Sequence, residues 1–206
     1  MDSTDARRQW ANRSGEYSPR YYAYYGPNEA SEWIREDLDG AVGHDASVLE
    51  LGCSSGRHLA HLHDHGYTDL AGVEVNAEAV DVMADVYPDT AAAADVTVAP
   101  IEEVVTDFAD DEFDAVFAVE VLQHLDPEAE WVFDEIARVA GERLLTVEIE
   151  GDDEREPGEY DVNYVDEGLP LFYRNWEHVF TTRGWEQVAV HEEGNDTLRA
   201  FRPQRD

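Results

Sequence analysis

The sequence predicts an α/β fold, a mostly parallel sheet with helices on both faces and an antiparallel hairpin at its C-terminal end. Three observations predict it. From residue 47 to 149, short apolar runs alternate with helical patterns, as in parallel strands joined by right-handed crossovers. The first run, Ser47-Val48-Leu49-Glu50-Leu51, stops at the small-residue loop Gly52-Cys53-Ser54-Ser55-Gly56, and a helical pattern opens at Arg57. Two β-like stretches close the chain, 185–191 and 196–202, flanking Glu193-Gly194-Asn195-Asp196. Gly followed by Asn and Asp is turn chemistry, so these two form a hairpin.

The elements follow in order. Residues 1–27 are polar and then aromatic. Trp10 and five tyrosines between 17 and 25 read as an irregular covering segment, either a lid or a strap packed on the body. Asn28 caps a helix over about 29–40, with Trp33, Ile34 and Leu38 inward. Then come strand 47–51, helix 57–65, strand 69–75, helix 77–86, a weaker strand 94–98 and a short helix 102–107. Strand 113–119, helix 127–140 and strand 142–149 follow. Phe113-Asp114-Ala115-Val116-Phe117-Ala118-Val119 suits a strand buried on both faces. Residues 150–168 are acidic, hold Pro and Gly, and read as a long loop. A helix is predicted at about 171–183. No internal repeat is visible. A chain of 206 residues is long enough for one well-cored domain and short for two. The reading is one unit over 1–206: an aromatic and helical cap (1–44), a core (45–150), and a loop and hairpin region (151–206).

Charge bounds the partners. There are 48 acids against 14 bases, a formal net charge of −34, and every base is Arg. Acids spread along the whole chain point to a salt-adapted, halophilic surface, where salt screens the self-repulsion. The same balance argues against a nucleic-acid footprint, since no Lys/Arg cluster beyond Arg7-Arg8 is present. Cys53 is the sole cysteine, which excludes intrachain disulfides and fits a reducing cytoplasm. No apolar run spans a bilayer and no signal peptide is visible, so the expectation is a cytoplasmic protein with no membrane partner. Nothing in the sequence speaks to the oligomeric state.

The loop at 50–56 carries the chemistry. A strand that stops at small residues and opens a helix lets backbone N–H groups approach a ligand closely. It is not the dinucleotide fingerprint G-x-G-x-x-G, because Ser54 and Arg57 stand where Gly is required. About twenty residues on, Gly72-Val73-Glu74-Val75-Asn76 ends the next strand in an acid suited to two ribose hydroxyls. Val98-Ala99-Pro100-Ile101-Glu102 follows the third strand. Val119-Glu120-Val121-Leu122-Gln123-His124-Leu125 leaves the fourth.

In this order and spacing the four stretches resemble the class I S-adenosylmethionine (SAM)-dependent methyltransferases, over roughly 45–150 closely and more loosely beyond. The resemblance implies a Rossmann-like, seven-stranded sheet whose last strand runs antiparallel, with SAM as cofactor. It implies that Glu50, Gly52, Cys53, Ser54 and Gly56 border the methionine part and that Glu74 and Val75 border the ribose. Ile101 and Glu102 would border adenine, and Val119 and Glu120 would lie under the sulfonium. Two departures stand out. Ser54 replaces a common Gly, and Pro100 stands where the family usually has a residue accepting from the adenine amine.

His124, at the substrate rim, is the candidate general base, and Glu120 the second catalytic candidate. The bland alternatives are a structural histidine and a helix-capping acid. Cys53 reads as a small spacer rather than a nucleophile, since thiolate activation needs positive charge and a base nearby. His61 and His65 stand at i, i+4 among His58, His61, His63 and His65. Without Cys or an H-E-x-x-H pattern, they read as a solvated helix face, and no metal centre is expected. Arg174 either anchors an anionic substrate or pairs with one of the many acids.

The leading expectation is a methyltransferase acting on a small molecule or biosynthetic intermediate by in-line displacement. A nucleotide-cofactor oxidoreductase is the alternative enzyme, and NAD binding would favour it. A non-catalytic SAM-binding regulatory module is the other alternative, and SAM binding without turnover would favour that. Ala118-Val119-Glu120-Val121 stands where an Asn-Pro-Pro-Tyr-type acceptor motif for base amines would be.

Overall fold

The computed structural model describes residues 3–150, 160–165 and 168–205. In chain order the helices are α1 (Ser3–Ala11), α2 (Pro19–Tyr25), α3 (Glu29–Ala41), α4 (Arg57–Asp64), α5 (Ala77–Val86), α6 (Pro88–Ala93), α7 (Ile101–Val104), α8 (Trp131–Val139) and α9 (Trp176–Thr181). The strands are β1 (Ser47–Leu51), β2 (Asp69–Glu74), β3 (Asp95–Val98), β4 (Phe113–Val119), β5 (Ala140–Ile149), β6 (Asp161–Val165), β7 (Leu169–Tyr173), β8 (Trp185–Glu193) and β9 (Asp196–Pro203). Seven of them form one sheet in the order β3-β2-β1-β4-β5-β9-β8, and β6 pairs β7 apart from it. Pairs β1–β2, β1–β4, β2–β3 and β4–β5 are parallel. β9 enters antiparallel between β5 and β8. The α/β fold with seven strands and an antiparallel C-terminal hairpin is therefore present.

Alternation along the central strands explains the layers, because successive side chains face opposite sides of a sheet. Leu49 and Leu51 of β1 and Val116 of β4 join Phe133, Ile136, Trp176, Phe180 and Phe201 on one face. Val48 and Phe117 join Ile34, Leu38, Leu59, Leu62, Met83 and Leu145 on the other. Both sets are fully buried. Burying one such aliphatic or aromatic side chain contributes roughly 1.5–3 kcal/mol, so these two clusters dominate stability. The strand ends are fixed by polar stitches. The Asp114 carboxylate accepts from the Ser47 N–H at 2.8 Å and its hydroxyl at 3.1 Å.

β1 and β4 match their predicted bounds, and α5 matches too. Other readings are corrected. The N-terminal segment is not irregular but holds α1 and α2. Ser18 caps α2 by accepting from the Tyr21 N–H, and Pro19 sits at its first position, where its missing donor costs nothing. Pro88 ends α5 and starts α6, an element the sequence reading did not place. The predicted helix 127–140 is a 3-10 turn at Pro127–Ala129 followed by α8.

The predicted helix 171–183 is also corrected. It is strand β7, then α9. Asn175 stops the strand and caps α9, its side chain accepting from the His178 N–H at 2.9 Å. Within the loop read at 150–168, residues 161–165 form β6. Residues 151–159 and 166–167 lie outside the described part.

Candidate functional site

One cavity of about 400 Å³ opens at the carboxyl ends of β1, β2 and β4, the end at which open α/β sheets bind ligands. Its floor is the loop after β1. Gly52 adopts φ +71°, and its N–H donates to the Val73 carbonyl at 2.7 Å. A Cβ on Gly52 would sit 2.3 Å from Val121 Cγ2, and one on Gly56, at φ +75°, 2.3 Å from Met83 Cε. Both glycines are therefore required twice, by backbone conformation and by crowding. Ser54 also takes a positive φ, 47°. Cys53 is buried against Gly72, where a Cβ would meet its sulfur at 2.7 Å. Burial pushes its thiol pKa well up, which agrees with a spacer and not a nucleophile.

Among the carboxylates that line the cavity, Glu50, Glu74 and Glu120 lie at the ends of β1, β2 and β4. Glu50 is buried, and its Oε2 has no hydrogen-bond partner. Burial above all raises its pKa well beyond the carboxylate range; Glu74 adds to this and the Arg57 cation opposes it. Glu74 bridges the two motifs. Its Oε2 accepts from the Ser54 N–H and its Oε1 from the Asn76 N–H, both at 2.7 Å. Burial raises its pKa while these backbone donors pull the other way. Each oxygen keeps a lone pair for a ligand hydroxyl. Glu120 sits at φ +54° with its N–H on the Val147 carbonyl at 2.7 Å. Burial raises its pKa and Arg57 opposes. Arg57 is thus the cation of this wall. Its Nε donates to His58 Nε2 at 3.1 Å, and its guanidinium lies 4.9 Å from the Tyr22 ring centre. His58 is buried and stays neutral, with its pKa held well below the usual value by burial first and Arg57 next.

The exit of β4 is held from beneath by Glu148, which is fully buried on β5. Its Oε1 accepts from the Val121 and Leu122 N–H groups at 3.1 and 2.9 Å, and its Oε2 from the Gln123 N–H at 3.2 Å. Burial lifts its pKa to about 8 despite these donors. Gln123 in turn accepts from the Ile149 N–H at 2.9 Å. His124 projects from this exit. Its Nδ1 lies 3.4 Å from the Pro170 carbonyl, which fits Nδ1–H as donor and leaves Nε2 as the basic nitrogen. Burial drops its pKa to about 4.

Three elements, α1, α2 and β7, cover the cavity. α1 lays Trp10 against His124, ring centres 4.8 Å apart, and Asn76 Nδ2 donates to the Trp10 carbonyl at 3.3 Å. Tyr17 and Tyr22 line the wall too, while Tyr24 and Tyr25 face solvent. From the other side β7 brings Pro170, Leu171 and Phe172.

All the sequence-selected positions border this one cavity: Glu50, Gly52, Cys53, Ser54, Glu74, Val75, Ile101, Glu102, Val119, Glu120 and His124, with Gly56 shaping the loop behind it. Glu102 carries an ion pair to Arg7 of α1 at 3.6 Å. Arg174 is absent from the cavity lining. It is buried among Phe133, Phe172 and Trp176, and its NH2 donates to the Leu125 carbonyl at 2.9 Å. Burial brings its pKa down to about 10. Its role is to brace the β4 exit. Sequence reasoning missed Arg57, Asn76 and Glu148. Asn76 had a signal as a helix cap after a strand-end acid, whereas a lone acid late in β5 has none.

Residues 49–142 match the family described as "Methyltransferase domain". No curated protein matches the sequence significantly. Among solved structures, 1,6-didemethyltoxoflavin-N1-methyltransferase from Burkholderia thailandensis, with its substrate and S-adenosylhomocysteine bound, superposes with a TM-score of 0.70 at 14% identity, over 98% of this chain and 87% of its own. Geranyl diphosphate C-methyltransferase from Streptomyces coelicolor A3(2), with Mg²⁺, geranyl diphosphate and S-adenosylhomocysteine, gives 0.71 at 14% identity, over 98% of each chain. Magnesium protoporphyrin IX methyltransferase from Synechocystis PCC 6803, with S-adenosylhomocysteine, gives 0.71 at 13% identity, over 98% of this chain and 100% of its own. At these identities the likeness is one of fold. With the family match over β1 to β5, it leads to one conclusion: residues 49–142 are a class I SAM-dependent methyltransferase domain.

Proposed function

We propose that this enzyme methylates a small, largely apolar acceptor inside the covered cavity, by in-line displacement, and that His124 takes the acceptor's proton. The observation that carries the reading is the two-sided cavity. One wall is backbone and carboxylate, from the 52–56 loop, Glu50 and Glu74. The opposite wall is aromatic and apolar, from Trp10, Tyr22, Leu171 and Phe172.

The first wall fits SAM. The unpaired, buried Glu50 Oε2 suits an amino group, and a cation there restores its ionised form. The remaining lone pairs of Glu74 suit ribose hydroxyls. Ile101 offers an apolar face to adenine, and the closed-in 52–56 backbone suits the methionine part. Bound there, SAM supplies an activated methyl group.

The chain's own residues supply the rest. Val119 and Val121 form the apolar floor between the walls. Trp10, Tyr22 and Phe172 hold an acceptor flat and exclude water, so that a placed acceptor reacts as if at high local concentration. His124 lines the cavity, is neutral at neutral pH and keeps Nε2 as its basic nitrogen, which suits it to act as the base. Glu120, on the same exit, contacts the acceptor. The three superposed enzymes named above have small molecules in their names or complexes, which supports this acceptor class. A chain with 48 acids against 14 bases weighs against nucleic acid.

Calorimetry with S-adenosylhomocysteine in high salt, followed by a methyl-transfer screen over phenols, heterocyclic amines and prenyl-type lipids, tests the reading. Binding and turnover of a small acceptor are expected. Binding with turnover only on RNA or protein overturns the acceptor class, and absence of binding overturns the cofactor site.

A further inference from the structure

The geometry points to a transition-metal site outside the cavity, formed by Glu32, His61 and His65, that clamps α3 to α4 with a divalent ion of the zinc type. On sequence alone His61 and His65 read as a solvated face, without Cys or an H-E-x-x-H pattern beside them. Folding supplies a further ligand from α3. One ligand atom from each of the three residues lies within 4.8 Å of the other two. His61 and His65 stand one turn apart with ring centres 4.4 Å from each other. Small rotamer changes bring three such atoms to the separations of a shared ion.

The surrounding bonds orient these groups as ligands. The His65 Nδ1 is 2.7 Å from the His61 carbonyl. Nδ1 is therefore the protonated nitrogen and Nε2 carries the free lone pair, the arrangement that fixes ligating histidines. His61 Nε2 already lies 2.9 Å from Glu32 Oε2. An entering ion takes the place of the proton on Nε2; the neutral ring carries its proton on Nδ1 instead, and Nε2 and Oε2 both hold the ion. Arg35 grips the carboxylate on both oxygens, NH2 on Oε1 at 2.6 Å and Nε on Oε2 at 3.0 Å, so the group is held in place and Oε2 offers the ion its remaining lone pair. The helices are also pinned one turn away, where Ser31 Oγ meets His58 Nδ1 at 2.7 Å. The ligands thus sit on a preformed helix pair and need little ordering. Two imidazoles with one carboxylate favour Zn²⁺, Co²⁺ or Ni²⁺ over Mg²⁺ and Ca²⁺, which take oxygen ligands.

The test is calorimetric titration of the chelator-stripped protein with Zn²⁺, in high salt with excess Mg²⁺ to occupy the carboxylate surface. Absorption spectra with Co²⁺ accompany it. One ion per chain is expected, with visible Co²⁺ bands and a raised melting temperature. His65→Ala, at an exposed helix end, and Glu32→Gln should each weaken Zn²⁺ at least about tenfold and change the Co²⁺ bands. Chelator-treated melts verify that both variants fold. Zn²⁺ affinity and Co²⁺ bands unchanged in the His61→Ala, His65→Ala double variant overturn the site, as does the absence of binding to the native chain. Unchanged behaviour of Glu32→Gln overturns the three-ligand form and with it the clamp.

Discussion

The backbone N–H of Ser54 donates to the carboxylate of Glu74 at 2.7 Å, so the loop after β1 is held open by the acid that ends β2. The bond explains why Ser serves where Gly is common. The left-handed backbone of Ser54 is secured by a charged acceptor rather than by the absence of a side chain. Glu74→Ala removes this acceptor and, with it, the proposed ribose contact. A charge-assisted hydrogen bond contributes about 1.5–3 kcal/mol, so S-adenosylhomocysteine should bind about 10- to 100-fold more weakly by calorimetry. Glu74→Gln, which keeps one acceptor oxygen, should lose less.

Gly52→Ala places a Cβ against Val121 at a positive φ. Overpacking costs about 1–3 kcal/mol and the backbone conformation adds to it. Urea denaturation should show a loss in that range, together with weaker cofactor binding. Adding Val121→Ala relieves the crowding but not the φ strain. The double variant should therefore recover only part of the stability, and full recovery would show that crowding alone is the cause.

His124 is held at about 4 against an ordinary 6.5, by burial. Between these values the unfolded chain binds a proton that the folded chain does not. Its contribution to stability is complete above about 6.5 and is lost as pH falls toward about 4. His124→Gln should flatten the melting temperature in this window. With His124 as the proposed base, catalysis has the same sign, because the imidazole stays neutral down to about 4 and the acid limb of kcat/KM should fall there. His124→Ala should lower kcat by about 10²-fold or more while S-adenosylhomocysteine still binds.

The central sheet and the cofactor wall were legible because their signals are local. A buried strand reads as an apolar run, and the 50–56 loop and Glu74 sit at strand ends. The cover was not legible. α2 rests on a Ser-Pro start that reads as irregular. β7 reads as helix because Leu169, Leu171 and Phe172 suit either period, and only the Asn175 cap separates the strand from α9. Arg174 read as either a substrate anchor or the partner of an acid, because only the fold buries it among aromatic rings. Glu32 could not be joined to His61 and His65, since the pairing depends on how α3 packs on α4.

The surface charge leads to a salt prediction. With 48 acids, 14 arginines and no lysine, self-repulsion opposes the folded state at low ionic strength. At about 1 M salt the screening length falls to about 3 Å. The melting temperature should therefore rise from low to molar KCl, and a flat or falling profile would contradict salt adaptation.

Glu148 lies beneath the β4 exit without reaching the cavity, so it separates positioning from the proposed chemistry. Its two oxygens take three consecutive backbone donors, Val121, Leu122 and Gln123. Glu148→Ala leaves these buried N–H groups without partners, at about 1–3 kcal/mol each where water does not replace the carboxylate. A stability loss of about 3 kcal/mol or more is expected in urea. Glu148→Gln keeps the oxygen that serves Val121 and Leu122 but turns an amide nitrogen toward the Gln123 N–H, so it should retain about half of that stability. Because His124 follows Gln123 directly, the Gln variant should lower kcat through a misplaced imidazole while leaving cofactor affinity near the native value. A Gln variant with native kcat would show that the exit holds its shape without this carboxylate.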